Sequence, residues 1–99
     1  MDTQENTVTK EKIITELPSK YNVILHNDDV TPMGFVVEIL VNIFTMDRQK
    51  AVELMLEIHH KGKGIAGTYI KSIAESKVTI VRDVALKSNY PLSVTIEKV

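Results

Sequence analysis

Between Tyr21 and Val99 the apolar residues switch repeatedly from a period of two to a period near 3.6 and back, with turn residues at the switches. Such a pattern calls for strands and helices packed across one shared core. Tyr21, Val23 and Leu25 alternate with Asn22, Ile24 and His26, which suits a strand of a partly buried sheet. The polar run Asn27-Asp28-Asp29 then turns the chain. Thr31-Pro32 reads as an N-cap with proline at the first helical position. Phe35, Ile39, Leu40, Ile43 and Phe44 carry that helix to about residue 44. Gly34 in its first turn costs up to about 1 kcal/mol relative to alanine.

Asp47 caps a second helix whose inner face is Ala51, Leu54, Met55 and Ile58. It ends near His59-His60, with Gly62 placed to stop it. Residues 65–70 read as a strand, and Gly64 and Gly67 around it suggest a bulge or a close approach. Ser72-Ile73-Ala74-Glu75 has the spacing of a capping box, opening a third helix through Val78, Val81, Val84 and Ala85 to about Asn89. Pro91 breaks it, and Leu92, Val94 and Ile96 alternate in a last strand. The order β-α-α-β-α-β predicts an α+β fold, a small two-layer sandwich of three helices against a three-stranded antiparallel sheet. Residues 20–99 form this core. Residues 1–19 mix Thr, Gln, Glu and Lys without sustained periodicity, and a segment that buries little apolar area is expected to be a flexible tail.

At 99 residues there is room for one domain. A formal net charge of −1 lacks the basic excess of nucleic-acid-binding domains, so no nucleic-acid partner is expected. The chain has no cysteine, which excludes disulfides, thiol catalysis and thiolate metal sites. No apolar run approaches the ~18 residues of a membrane span, and Met1 to Asn6 is too polar for a secretory signal. A cytoplasmic monomer without membrane contact is expected.

Two acids and a histidine could serve acid–base chemistry or a metal. Adjacent acids in a loop are usually turn chemistry, however, and His59 and His60 point to different helix faces. There is no phosphate-binding glycine loop, serine elbow or zinc spacing, so neither an enzyme nor a metal or cofactor site is expected. Asn27, Asp28, Asp29 and His59 supply acceptors, and acceptors gathered around one point suit a cation with three N–H donors, such as an α-ammonium group. Met33, Val36, Met55 and Ile58 are positioned to form an apolar wall behind them, with methionine as an adaptable element. Ordinary core packing accounts for those four residues as readily.

The run YNVILHNDD-x-TPM-x-FV over residues 21–36 resembles the opening signature of the ClpS family, adaptors of the N-degron pathway in bacteria and plastids. Leu54-Met55, Ile58-His59 and Gly62-Lys63 match its second block, and residues 75–78 and Pro91-Leu92 also fit. The likeness covers residues 21–99. It implies a non-enzymatic adaptor that binds the bulky first residue (Leu, Phe, Tyr or Trp) of N-degron substrates and delivers them to a Clp AAA+ unfoldase and its protease. Asn27, Asp28, Asp29 and His59 would hold the α-amino group and first peptide unit, directly or through water. Thr31, Met33, Val36, Met55, Ile58 and Leu92 would line the side-chain pocket, with Met33 as a gate against β-branched residues. Glu75 and Lys77 would touch the N-terminal domain of the unfoldase, and the tail before Tyr21 would be engaged at handover. The chain departs from the family at Ser72, where an acidic residue is common, at Gly34 for a usual glutamate, and at Ile58 for a common valine. The larger Ile58 is expected to narrow the pocket and disfavour Trp relative to Phe and Leu. The alternatives are a protein-docking module of the same fold without an amine pocket, and a small hydrolase using Asp28, Asp29 and His59, for which the chain offers no nucleophile.

Overall fold

β1 (Lys20–His26) forms where β-branched and apolar residues run together, and it buries Val23 and Leu25 completely. The computed structural model describes residues 18–99, so the expected tail lies, up to residue 17, outside the described residues. β1 is the middle strand, antiparallel both to β2 (Lys63–Ile70) and to β3 (Ser93–Lys98), giving the order β2-β1-β3. At one end of the sheet His26 faces Lys63 on one side and Ser93 on the other. At the other end Lys20 faces Ile70, and Tyr21 faces Lys98. The register slips between Val23 and Ile24, whose partners are Gly67 and Ile65, leaving Ala66 as the extra residue of a bulge. The bulge suggested by the glycines is therefore present.

Three helices cover one face: α1 (Met33–Asn42), α2 (Arg48–Lys61) and α3 (Lys71–Lys87). α2 is bounded as its sequence indicates. The Asp47 carboxylate accepts from the Lys50 amide at 2.9 Å, and Gly62 closes the helix with φ 95° while its amide donates to the Ile58 carbonyl at 2.9 Å. The ends of α1 and α3 differ from expectation. Pro32 occupies the N-cap of α1, with no side-chain cap, because the Thr31 hydroxyl is turned to Asp28 instead. α1 stops at Asn42; Thr45 then takes a left-handed φ of 51°, and Phe44 turns into the core outside the helix. α3 follows β2 directly with Ile70 as its N-cap, so Ser72 lies inside the first turn and no capping box forms. The Ser72 carbonyl instead accepts from the Ser76 hydroxyl at 3.0 Å. At its far end Asn89 turns left-handed at φ 59°, a conformation asparagine tolerates, and the Tyr90 amide returns to the Ala85 carbonyl at 2.9 Å.

Val23, Leu25, Ala66 and Val94 of the sheet meet Leu40, Ala51, Ala74 and Val81 of the helices in one continuous core. The outer face of the sheet carries polar cross-strand pairs, Thr68 Oγ1 donating to Asn22 Oδ1 at 2.7 Å and His26 Nε2 lying 2.7 Å from Thr95 Oγ1. Ile24 stands on that outer face too, yet it is only 5% exposed. Truncating Leu25 to alanine should destabilise the fold by about 2–5 kcal/mol in denaturant unfolding, whereas Leu86→Ala, at a side chain 75% exposed, should change it by no more than about 0.5 kcal/mol.

Candidate functional site

Three chain reversals meet at the His26 end of the sheet. β1 leaves through Asn27, α2 turns into β2 at Gly62, and the connection from α3 enters β3 after Leu92. The Asn27 amide donates to the Gly62 carbonyl at 2.9 Å, which binds the first reversal to the second. Because His26 faces Ser93, Leu92 flanks Asn27 on the other side. His59, in the last turn of α2, is thereby brought to the same rim as Asn27. It is exposed, and its ring packs edge-on against His60 at 5.3 Å between centroids. The carbonyl end of α2 faces this rim, and its partial negative charge favours a cation there.

The two adjacent acids have separate surroundings. Asp28 is half-buried, and its Oδ1 accepts from the amides of Val30 at 2.8 Å and Thr31 at 2.6 Å. Its Oδ2 accepts from the Thr31 hydroxyl at 2.7 Å. Desolvation pushes the Asp28 pKa up, but the hydrogen bonds from Thr31 and Val30 outweigh it and hold the carboxyl below its ordinary 3.8. Asp28 is thus an ionised anchor for the loop. Asp29 is exposed beside it.

Behind the rim, Val36 of α1, Ile58 of α2 and Leu92 are buried parts of the core, 7%, 2% and 6% exposed. Met55 is half-buried and packs against that cluster. Thr31 is half-buried, and Met33, the first residue of α1, is 44% exposed. The four acceptor-bearing residues therefore lie in the loop and at the helix end, and the six residues expected to line the pocket run from the surface inward. Glu75 and Lys77 lie elsewhere. β2 runs from the rim to Ile70, a span of eight residues and roughly 25 Å, and α3 starts from there. Glu75 is exposed, whereas the Lys77 ammonium donates to the Ile43 carbonyl at 2.7 Å and lies 6.0 Å from the Phe44 ring centre and 5.7 Å from that of Tyr69.

Sequence reasoning gave no hint of the Asn27–Gly62 bond or of the Lys77 cap, since both join residues distant along the chain. A surface groove of about 480 Å³, lined by Ile24, Glu57, Lys61, Gly64 and Ile65 among others, reaches the His26 end of the sheet at Lys63 but includes none of Asn27, Asp28, Asp29 and His59. Among the described residues no group of three or more histidines and acids is placed to hold a metal ion, and no helix is long and apolar enough to cross a membrane.

Residues 16–95 match the family model described as ATP-dependent Clp protease adaptor protein ClpS. The chain is 50% identical over 92 residues to the ATP-dependent Clp protease adapter protein ClpS of Shewanella denitrificans, covering 91% of this chain and 90% of that one. It is 49% identical over 90 residues to the protein of that name from Vibrio atlanticus, covering 91% and 85%. Among solved structures, Agrobacterium tumefaciens ClpS2 bound to L-phenylalaninamide superposes with a TM-score of 0.81 at 31% identity, over 84% of this chain and all of that one.

A depressed carboxyl pKa stabilises the fold above the unfolded value and ceases to do so as pH falls through the folded value. Asp28→Ala should therefore cost about 1–3 kcal/mol near pH 7, and the gap from the parent should close as pH falls below 3.8, read by urea unfolding at several pH values.

Proposed function

This chain belongs to the ClpS family of ATP-dependent Clp protease adaptor proteins, and we propose that it captures substrates by a free N-terminal Leu, Phe, Tyr or Trp and delivers them to a Clp AAA+ unfoldase. ClpS proteins are adaptors and not proteases. The observation that carries the proposal is the meeting of Asn27, the His59 turn and Leu92 at one end of the sheet, tied by the Asn27–Gly62 bond. The L-phenylalaninamide bound by the Agrobacterium relative has a free amine next to an aromatic side chain, the two features this rim and wall would accept.

In this reading the α-ammonium group donates to Asn27, Asp29 and a ring nitrogen of His59, while Asp28 holds the loop in place and adds its negative charge, directly or through water. The first side chain passes Met33 and Thr31 and lies against Val36, Met55, Ile58 and Leu92. Each charge-assisted hydrogen bond contributes ~1.5–3 kcal/mol, and burying one large apolar side chain a similar amount. After the entropy of association the sum falls near micromolar affinity, which allows both capture and release. Glu75 and Lys77 meet the N-terminal domain of the unfoldase at the other end of the sheet, so substrate and unfoldase do not compete for surface. The segment before Tyr21 is engaged during handover.

Fluorescent peptides differing only at residue one should separate sharply in anisotropy titrations. Free Phe, Leu and Trp should bind at about micromolar concentration, and Ile, Ala, Arg and acetyl-Phe at least tenfold more weakly. Acetylation removes the charge and two donors while the acceptors stay in place. His59→Ala should weaken the binders about tenfold through loss of one charge-assisted bond. Equal binding of Phe and acetyl-Phe would reject the amine site and favour a docking module that ignores peptide N-termini.

A further inference from the structure

Gly64 is buried in β2 where that strand passes under α2. A Cβ at this position would stand 2.8 Å from Ile58 Cγ1 and 3.0 Å from Leu54 Cδ1, closer than carbon atoms normally pack. Gly62 is the one described glycine with a positive φ, so the backbone at residue 64 accepts any L-residue and the obstacle is steric alone. Leu54 Cδ1 is the end of a flexible side chain and can swing aside. Ile58 Cγ1 is not, because a β-branched side chain in a helix is confined to one dominant χ1 rotamer.

Two ties hold the strand against retreat from such a contact. Gly64 is paired with Leu25, fully buried in the middle strand, and the adjoining turn is held by the Asn27–Gly62 bond. The room comes from Ile58, which belongs to the same buried core cluster as Val36 and Leu92, with Met55 packed against that cluster. Those are the residues assigned above to the wall of the first-side-chain pocket.

We propose that Gly64 sets the depth of that pocket: its missing side chain lets Ile58 seat back against β2, and a methyl group at residue 64 drives Ile58 toward Val36 and Leu92, into the space of the ligand's first side chain. Gly64 is a positioning residue that acts through Ile58 and touches no ligand. The inference rests on the adaptor reading and deepens it. Isoleucine at residue 58 and glycine at residue 64 form one steric unit, so the selectivity of the pocket is a property of the pair. Tryptophan, the largest side chain, feels the intrusion most and leucine least.

The test is a double-mutant cycle of Gly64→Ala and Ile58→Val, with Kd measured for peptides bearing free Leu, Phe or Trp and with thermal unfolding of each variant. Gly64→Ala should raise the ratio of the Trp Kd to the Leu Kd about tenfold, the discrimination typical of one misplaced methylene in an apolar pocket. It should also lower Tm by about 5–15 °C through overpacking. Adding Ile58→Val should return the ratio to within about threefold of the parent and recover most of the lost Tm. If Gly64→Ala alone does not fold, the folding and selectivity of the double variant still decide. A ratio unmoved by Gly64→Ala, or a double variant no better than the single, would overturn the inference while leaving a discriminating parent as an adaptor. A parent that binds none of the free peptides would overturn the adaptor reading and the pocket assignment together.

Discussion

Everything in this molecule is hung on the pairing of β1 with two neighbours. A middle strand has both edges occupied, so its end fixes two other chain segments at once. His26 faces Lys63 and Ser93, and the next residue, Asn27, emerges between the end of α2 and Leu92. Residues separated by more than sixty positions are thereby held together by strand pairing, to which the contact of His26 Nε2 with Thr95 Oγ1 at 2.7 Å adds. The apolar face of the same strand, Val23 and Leu25, holds the helices against the sheet. Pairing and burial therefore both act through these seven residues.

The two aspartates show how a short loop can combine fixed geometry with an open acceptor. Asp28 has three hydrogen bonds within its own loop, and they keep it ionised despite partial burial. A carboxylate so committed holds shape, and its charge remains at the rim. Asp29 makes the complementary contribution, an exposed carboxylate carried on a backbone that Asp28 has fixed. Thr31 belongs to this arrangement as well. Its hydroxyl is drawn to Asp28 and away from the start of α1, which is why a residue with the sequence marks of an N-cap does not cap.

Most of the architecture was legible in the sequence because the signals are local and physical. Period two and period 3.6 told strand from helix, and Asp47 and Gly62 bound α2 where their chemistry demands. The misplacements fall where a local signal meets a tertiary competitor. Thr31 is claimed by Asp28, Phe44 is pulled into the core beyond the end of α1, and Ser72 is carried into α3 because β2 leads into that helix without a loop. Ile24 has the strand phase of a polar outer position, yet it is buried, because burial on that face depends on neighbours that periodicity does not see. The membership proposed for the candidate site comes from family likeness. Its assembly was not legible, since the bond from Asn27 to Gly62 and the register of His26 against Ser93 are long-range facts.

The position of Lys77 connects the two ends of the molecule. Its ammonium satisfies the Ile43 carbonyl just past the end of α1 and lies near the Phe44 and Tyr69 rings. α1 is the helix that begins with Met33 and buries Val36 behind the rim, so one short helix touches the proposed substrate wall at its start and the proposed unfoldase surface at its finish. A partner that drew the Lys77 ammonium away would leave a carbonyl of the α1 terminus without its donor, and a helix of only ten residues has few other bonds with which to absorb the loss. Docking at Lys77 without disturbing the pocket therefore requires the partner to approach the exposed part of this side chain and leave its bond to Ile43 intact. Glu75, exposed one half-turn earlier on α3, is free of any such duty and is the better of the two for a direct ionic contact.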